Sequence, residues 1–191
     1  MNEDDLIKKV VSGDADAYGH LIAPYEKPIY NFCLRMLSNA QDAQDLSQEV
    51  FIKVYKNISK YKSRDGASFK NWLYRLANNA CIDEIRKRKS RVQPESLDVH
   101  LDSGENEMER QIDSGLITPE ETVIKRERRA AVGKAVGQLP PEFRQMVVLR
   151  DLRGLSYEEI AVVTGVKLGT VKSKINRARG KLRELIRDYY V

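Results

Sequence analysis

A chain of 191 residues has room for one domain or two small ones, and with 41% apolar residues it can bury a compact core. The formal net charge of +5 favours an anionic partner without choosing among nucleic acid, membrane surface and acidic protein. Cys33 and Cys81 stand far apart with no Cys or His at ligand spacing, and no stretch approaches the roughly 20 apolar residues a bilayer span needs, which argues against a disulfide framework, a metal centre and membrane insertion.

The chain opens on Glu3, Asp4 and Asp5 rather than on a basic segment followed by an apolar run, so the expected location is the cytoplasm. Apolar residues then recur at spacings of three and four, as at Leu46, Val50, Val54 and Ile58, and no run alternates with period two for long. The expected class is all-α. Gly13-Asp14 reads as one helix ending and the next being capped, Ser38-Asn39 as a second cap, and Asp65-Gly66 as a break before Ser68-Phe69 resumes the pattern. Residues 1–91 on this reading form one domain of about four helices.

Within that domain the segment DAQDLSQEVFIKVYK, from Asp42 to Lys56, places Ala43, Leu46, Val50 and Val54 on an apolar stripe and leaves Asp42, Asp45, Gln48, Glu49 and Lys53 outside. The next helical segment mixes Phe69, Trp72 and Tyr74 with Lys70 and Arg75 and ends in Arg86, Lys87, Arg88, Lys89 and Arg91. Interleaved aromatic and basic groups can stack unpaired bases while holding their phosphates. Trp72, at helical spacing from Leu73 and Leu76, reads first as a core residue. Tyr61 is the better candidate for stacking.

From Val92 to Ile117 the periodicity fails at Pro94, Gly104 and Gly115, and between Glu95 and Asp113 seven acids face one base, Arg110. Residues 92–117 are therefore expected to be a flexible acidic linker. Thr118-Pro119-Glu120-Glu121 offers a cap, a proline at the first helical position and acids where helix N–H groups favour them, so a second domain is expected over 118–191.

In that domain Ser156 and Glu159 form a capping box, with Leu155 and Ile160 at the staple positions, and predict a short helix from Tyr157 to Thr164. Gly165 supplies a left-handed turn, Ala161 leaves space for a second helix, and Val166, Val171 and Ile175 give that helix a buried face. This is a helix-turn-helix pattern. From Lys167 to Arg187 the chain carries eight bases and one acid, Glu184, a charge distribution suited to phosphates. Thr170, Lys172, Ser173, Asn176 and Arg177 are groups suited to base edges, while Arg179 and the later bases are suited to the backbone.

Three segments, DLSQEVFIKVY, FKNWLYRLANNACIDEIRK and LPPEFRQMVVLRDLRGLSYEEIAVVTGVKLGTVKSKINRARGKL, together resemble the extracytoplasmic-function (group IV) sigma factors of bacterial RNA polymerase, in the order that family uses. The resemblance implies a two-domain initiation factor that binds core RNA polymerase and promoter DNA without a cofactor. It implies that Asp45, Gln48, Glu49, Phe51 and Lys53 dock on the clamp coiled coil of the largest polymerase subunit, and that the polymerase flap is a second contact. Lys60, Tyr61 and Lys62 correspond to the loop that holds a flipped minus-10 base, with Trp72, Asn79 and Asp83 on the adjoining helix. Thr170, Lys172, Ser173, Asn176, Arg177 and Arg179 correspond to the minus-35 reader. Asp83 stands where some members have a neutral amide, and Lys172 where many have arginine. The linker would run through the polymerase's basic channels, its acids mimicking a polyanion, and an anti-sigma factor, usually membrane-anchored, would regulate the protein in a stress response.

No nucleophile and base stand at catalytic spacing, His20 and His100 lie in different segments, and no glycine-rich phosphate loop follows a strand; the expectation is a protein that is not an enzyme. From the residues alone, a stand-alone operator-binding regulator with the same helix-turn-helix remains the alternative.

Overall fold

The computed structural model describes residues 2–61, 68–91 and 130–187, and among the described residues all regular structure is helical. The acidic segment, Lys62, Asp65-Gly66 and the Thr118–Glu121 cap lie outside the described residues. The helix α1 (Glu3–Val11) has acids in its first turn and Lys8 and Lys9 in its last, both favourable to the helix dipole, and buries Ile7 and Val10. Gly13, with φ +99°, turns the chain, and the Asp14 carboxylate accepts the Ala17 amide at 3.0 Å to start α2 (Ala15–Leu37).

Pro24 and Pro28 sit inside α2 without ending it. The amides they lack would have bonded the carbonyls of His20 and Pro24, both exposed residues. Ser38 ends α2 in the left-handed region at φ 57°, and the Asn39 side chain accepts the Asp42 amide at 3.0 Å to cap α3 (Ala40–Asn57). The expected stripe of Ala43, Leu46, Val50 and Val54 is buried. A 3-10 turn (Ile58–Lys60) follows, and the Ser68 hydroxyl oxygen accepts the Asn71 amide at 3.3 Å in the first turn of α4 (Phe69–Arg91).

The second half comprises residues 130–138 (α5), α6 (Pro141–Val147) running into a π-helical turn (Val148–Leu152), then α7 (Tyr157–Thr164) and α8 (Leu168–Arg187). The two halves pack against each other, α4 on α7 and the end of α2 on α6, and one contiguous apolar cluster runs from Ile7 to Ala178. Close approach is allowed by two glycines one turn apart on α5: a Cβ at Gly133 would lie 2.8 Å from the Arg35 guanidinium, and one at Gly137 would lie 2.9 Å from the Ser38 hydroxyl. Arg144 on α6 fills the joint, donating to the carbonyls of Met36, Gly137 and Leu139, the last at 3.1 Å. Met36 lies in the last turn of α2, where unpaired carbonyls and the helix dipole both favour a cation. Burial lowers the Arg144 and Arg153 pKa values, and the nearby Tyr74 phenol partly offsets that effect at Arg153.

Candidate nucleic-acid interface

The helix-turn-helix is assembled by short-range chemistry. Ser156 Oγ accepts the Glu159 amide at 3.0 Å while the Glu159 carboxylate accepts the Ser156 amide at 2.7 Å, a reciprocal box that satisfies two otherwise unpaired N–H groups. Leu155 and Ile160 on either side are fully buried. Gly165 adopts φ +70° and donates its amide to Ala161 at 2.9 Å, which turns the chain toward α8. Arg150 braces the start of α7, donating to the Leu155 carbonyl at 2.7 Å with its guanidinium 4.8 Å from the Tyr157 ring centroid.

Val171, Ile175 and Ala178 bury one side of α8, with Val166 half-buried before them. Thr170, Lys172, Ser173, Asn176 and Arg177 are exposed on the other side. The Ser173 hydroxyl donates to the Thr170 carbonyl at 3.0 Å, which leaves its oxygen as an acceptor. Three of the helix's bases face protein instead: Lys174 pairs with Glu142 at 3.2 Å, the Lys181 ammonium lies 5.8 Å from the Phe143 ring centroid, and Arg179 makes a two-pronged pair with Asp151, its Nε at 3.1 Å. The hydrogen bonds to Asp151 raise the Arg179 pKa. Arg179 thus ties α8 to the π-helical turn. Its partner lies 28 residues upstream, outside any local pattern.

On the first half, Tyr61 and Trp72 form a half-buried aromatic pair with centroids 5.4 Å apart, both resting on Phe69, which is 2% exposed. The Tyr61 ring meets Phe69 edge-on at 5.7 Å and Trp72 meets it tilted at 5.8 Å. Phe69 is therefore the core member of this group, while Trp72 is part packing and part surface. Spacings of seven and four put Trp72, Asn79 and Asp83 on one face of α4 together with exposed Arg75 and Arg86. Asp83 lies 3.7 Å from Arg86 in an exposed pair, and Lys60 is exposed at the end of the 3-10 turn. The basic end of α4 is partly neutralised, since Arg88 reaches Glu84 at 3.1 Å and Asp42 of α3 at 2.6 Å.

Along α3, Asp45, Gln48, Glu49 and Lys53 are exposed on one face, with Gln41 donating to the Asp45 carboxylate at 3.3 Å and Glu49 lying 3.8 Å from Lys53. Ile52, not singled out in the sequence, sits centrally on that face and is 54% exposed. An apolar residue at a polar angle of the helix is the signal that marks it. Phe51 turns the other way, half-buried against the core, and its carbonyl accepts the Tyr18 hydroxyl at 2.5 Å. Among the described residues no cluster of His, Cys, Asp and Glu could hold a metal, and no helix is long and apolar enough to cross a membrane.

The chain matches the model of Sigma-70 region 2 over residues 21–91 and that of Sigma-70 region 4 over residues 129–182. It is 37% identical over 183 residues to the ECF RNA polymerase sigma factor SigW of Bacillus subtilis, covering 95% of each chain. The chain belongs to the ECF RNA polymerase sigma factors. It is also 33% identical to the ECF RNA polymerase sigma-E factor of Escherichia coli K12, across 98% of this sigma factor and 97% of that one. Its fold is shared by CnrH, solved with the cytosolic domain of CnrY, at TM-score 0.69 and 22% identity over 98% of this chain and 99% of that one. RpoE of Bartonella quintana, solved with the anti-sigma factor NepR, superposes at TM-score 0.64 with 23% identity, over 89% and 96% of the two chains. This sigma factor accordingly acts in promoter-specific transcription initiation, and its family is one of initiation factors, not enzymes.

Proposed function

We propose that this sigma factor holds a promoter at two points. The exposed Thr170, Lys172, Ser173, Asn176 and Arg177 of α8 read the minus-35 duplex, and Lys60, Tyr61, Lys62, Trp72, Asn79 and Asp83 hold unpaired minus-10 bases. The observation that carries the reading is that α8 presents its short polar and forked groups outward while its inner stripe and its inward-turned bases lock it to the rest of the domain. Base capture on Tyr61 and Trp72 would offset an unstacking cost of about a few kcal/mol per step, so that binding energy drives opening without ATP. Residues 1–91 serve as the minus-10 unit, 92–117 as the linker and 118–191 as the minus-35 unit.

The polymerase contact is the outward face of α3, where Asp45, Gln48, Glu49 and Lys53 surround exposed Ile52, a small apolar centre with a charged rim. Phe51 supports that face from beneath. An anti-sigma factor is proposed as the regulatory partner, because the solved relatives CnrH and RpoE are each held in a complex, RpoE with an anti-sigma factor. The site of action is the cytoplasm.

The test is to mix the purified chain with core RNA polymerase, ask for co-elution, and score run-off transcripts from a promoter that neither uses alone. Co-elution with promoter-dependent transcripts is the expected result. Ile52→Glu should reduce co-elution without changing binding of the free chain to minus-35 duplex, and an unchanged co-elution would remove α3 as the docking face.

A further inference from the structure

The aromatic pair at Tyr61 and Trp72 does not stand alone on α4. Phe69 beneath it is met edge-on by the Tyr25 ring of α2, with centroids 5.7 Å apart and planes at 66°. The Tyr25 hydroxyl in turn donates to the Glu3 carboxylate of α1, with oxygen separations of 3.3 and 3.5 Å. The helix α1 also packs directly on the 3-10 turn that leads into Tyr61. A continuous path therefore joins the acidic first turn of the protein, through one phenol and one buried phenylalanine, to the two rings proposed to receive a base.

We infer that Tyr25, held by Glu3, is a positioning residue for the Tyr61 and Trp72 platform, and that α1 is a brace for minus-10 base capture. This rests on the base-capture reading of those two rings. The physical reason is the shape of the contact. An edge-to-face ring fixes its neighbour's tilt only if its own orientation is fixed, and a ring anchored at Cβ alone can rock about its side-chain torsions. The hydroxyl bond to Glu3 anchors the far end of the Tyr25 ring, so that Phe69, and the two rings resting on it, keep one arrangement before DNA arrives. A preformed platform pays no ordering cost when a base is captured. Burial first, and then the Glu3 charge and hydrogen bond, push the Tyr25 pKa up to about 12, so the phenol remains a donor throughout the neutral range.

Three variants in the full chain separate this from a general packing role. Tyr25→Phe keeps the ring and deletes the anchor, Glu3→Ala deletes the acceptor, and Glu3→Gln keeps an acceptor without the charge. With holoenzyme assembled from core RNA polymerase, Tyr25→Phe and Glu3→Ala should each slow opening of a duplex promoter, read by permanganate reactivity of unpaired thymines, by about two- to fivefold, the low end of the hydrogen-bond scale because the oxygen separations of 3.3 and 3.5 Å are long. Glu3→Gln should recover most of that loss. Core binding and minus-35 duplex affinity should be unchanged, and a promoter left unpaired across the minus-10 element should bring opening by all variants near that of the parent, since the cost of unpairing that capture must offset is then absent.

Trp72 is the only tryptophan in the chain, so its emission reads the platform directly. Its quenching by acrylamide should rise in Tyr25→Phe and Glu3→Ala and stay near the parent in Glu3→Gln. Equal slowing by all three Glu3 and Tyr25 variants with a matching fall in thermal stability would overturn the brace in favour of plain packing. Normal opening and unchanged Trp72 quenching in Tyr25→Phe would overturn it as well. If Tyr61→Ala itself opens promoters normally, the base-capture reading fails instead.

Discussion

The helices α4 and α8 are of similar length and are both proposed to meet DNA, yet they are built in opposite ways. The α8 helix buries a single stripe of Val171, Ile175 and Ala178 and leaves most of its surface to solvent, so its reading face is a property of one helix. The α4 helix is packed by α2, α3 and α7, burying Phe69, Asn71, Leu73, Tyr74, Ala77, Asn78, Ala80 and Cys81, which together occupy more than half of its circumference. Before its basic last turns, the sector with Trp72, Arg75, Asn79, Asp83 and Arg86 is what remains to contact anything else. A duplex reader needs an exposed helix that can enter a groove, whereas a site that holds extruded bases needs rings fixed by their neighbours. The first can be specified locally. The second depends on the other helices.

If that contrast is right, the largest effect should come from loosening what surrounds α4. Arg144→Met removes the cation that serves three carbonyls at the joint between the halves, and urea unfolding should show a loss of about 3 kcal/mol, the scale of stranding buried hydrogen-bonding groups. A loss below about 1 kcal/mol would mean that water replaces the guanidinium and that the joint is soft. Tyr61→Ala comes next, costing about 1–3 kcal/mol of open-complex stability through lost stacking while minus-35 duplex binding holds. An open complex as long-lived in Tyr61→Ala as in the parent would argue against base capture.

On α8 the sharper comparison is between two arginines two residues apart, which lie on opposite sides of the helix. Arg177→Ala should weaken promoter binding by about 1–3 kcal/mol, and an equal loss on unrelated duplexes would make it a phosphate contact. Arg179→Ala should act mainly through its pair with Asp151, with about 0–1 kcal/mol lost from domain stability because that pair is partly exposed. A larger effect of Arg179→Ala on base preference would reverse the assignment of the two residues.

At neutral pH the smallest effect is that of two phenols of the first half, which matter only in alkali. Burial pushes the Tyr18 and Tyr25 phenols from their usual 10.0 up to about 12. Folding thus favours their neutral forms, a contribution that is complete below the unfolded value and is lost as pH rises from 10.0 through about 12. Tyrosinate absorbance and helical circular dichroism should change together across that interval, and Tyr18→Phe should flatten the dependence. Independent titration with unchanged helicity would show that these phenols are not coupled to folding.

The capping residues Asp14, Asn39 and Ser156, the left-handed turns at Gly13 and Gly165, and the boundaries Tyr157–Thr164 of α7 are all legible from the sequence, because each depends on atoms within four residues. The buried stripe of α3 is legible for the same reason, as is the exposed face of α8. What the tertiary structure decided involves partners far apart in the chain. Arg179 meets Asp151, Phe69 carries Tyr61, Trp72 and Tyr25 at once, Ile52 is left outside, and two prolines lie within a continuous α2. The docking of the two halves through Gly133, Gly137 and Arg144 belongs to the same class. Periodicity records which side of a helix is apolar, but a helix buried on three sides has no single side to record, and its function is set by whichever residues its neighbours leave uncovered.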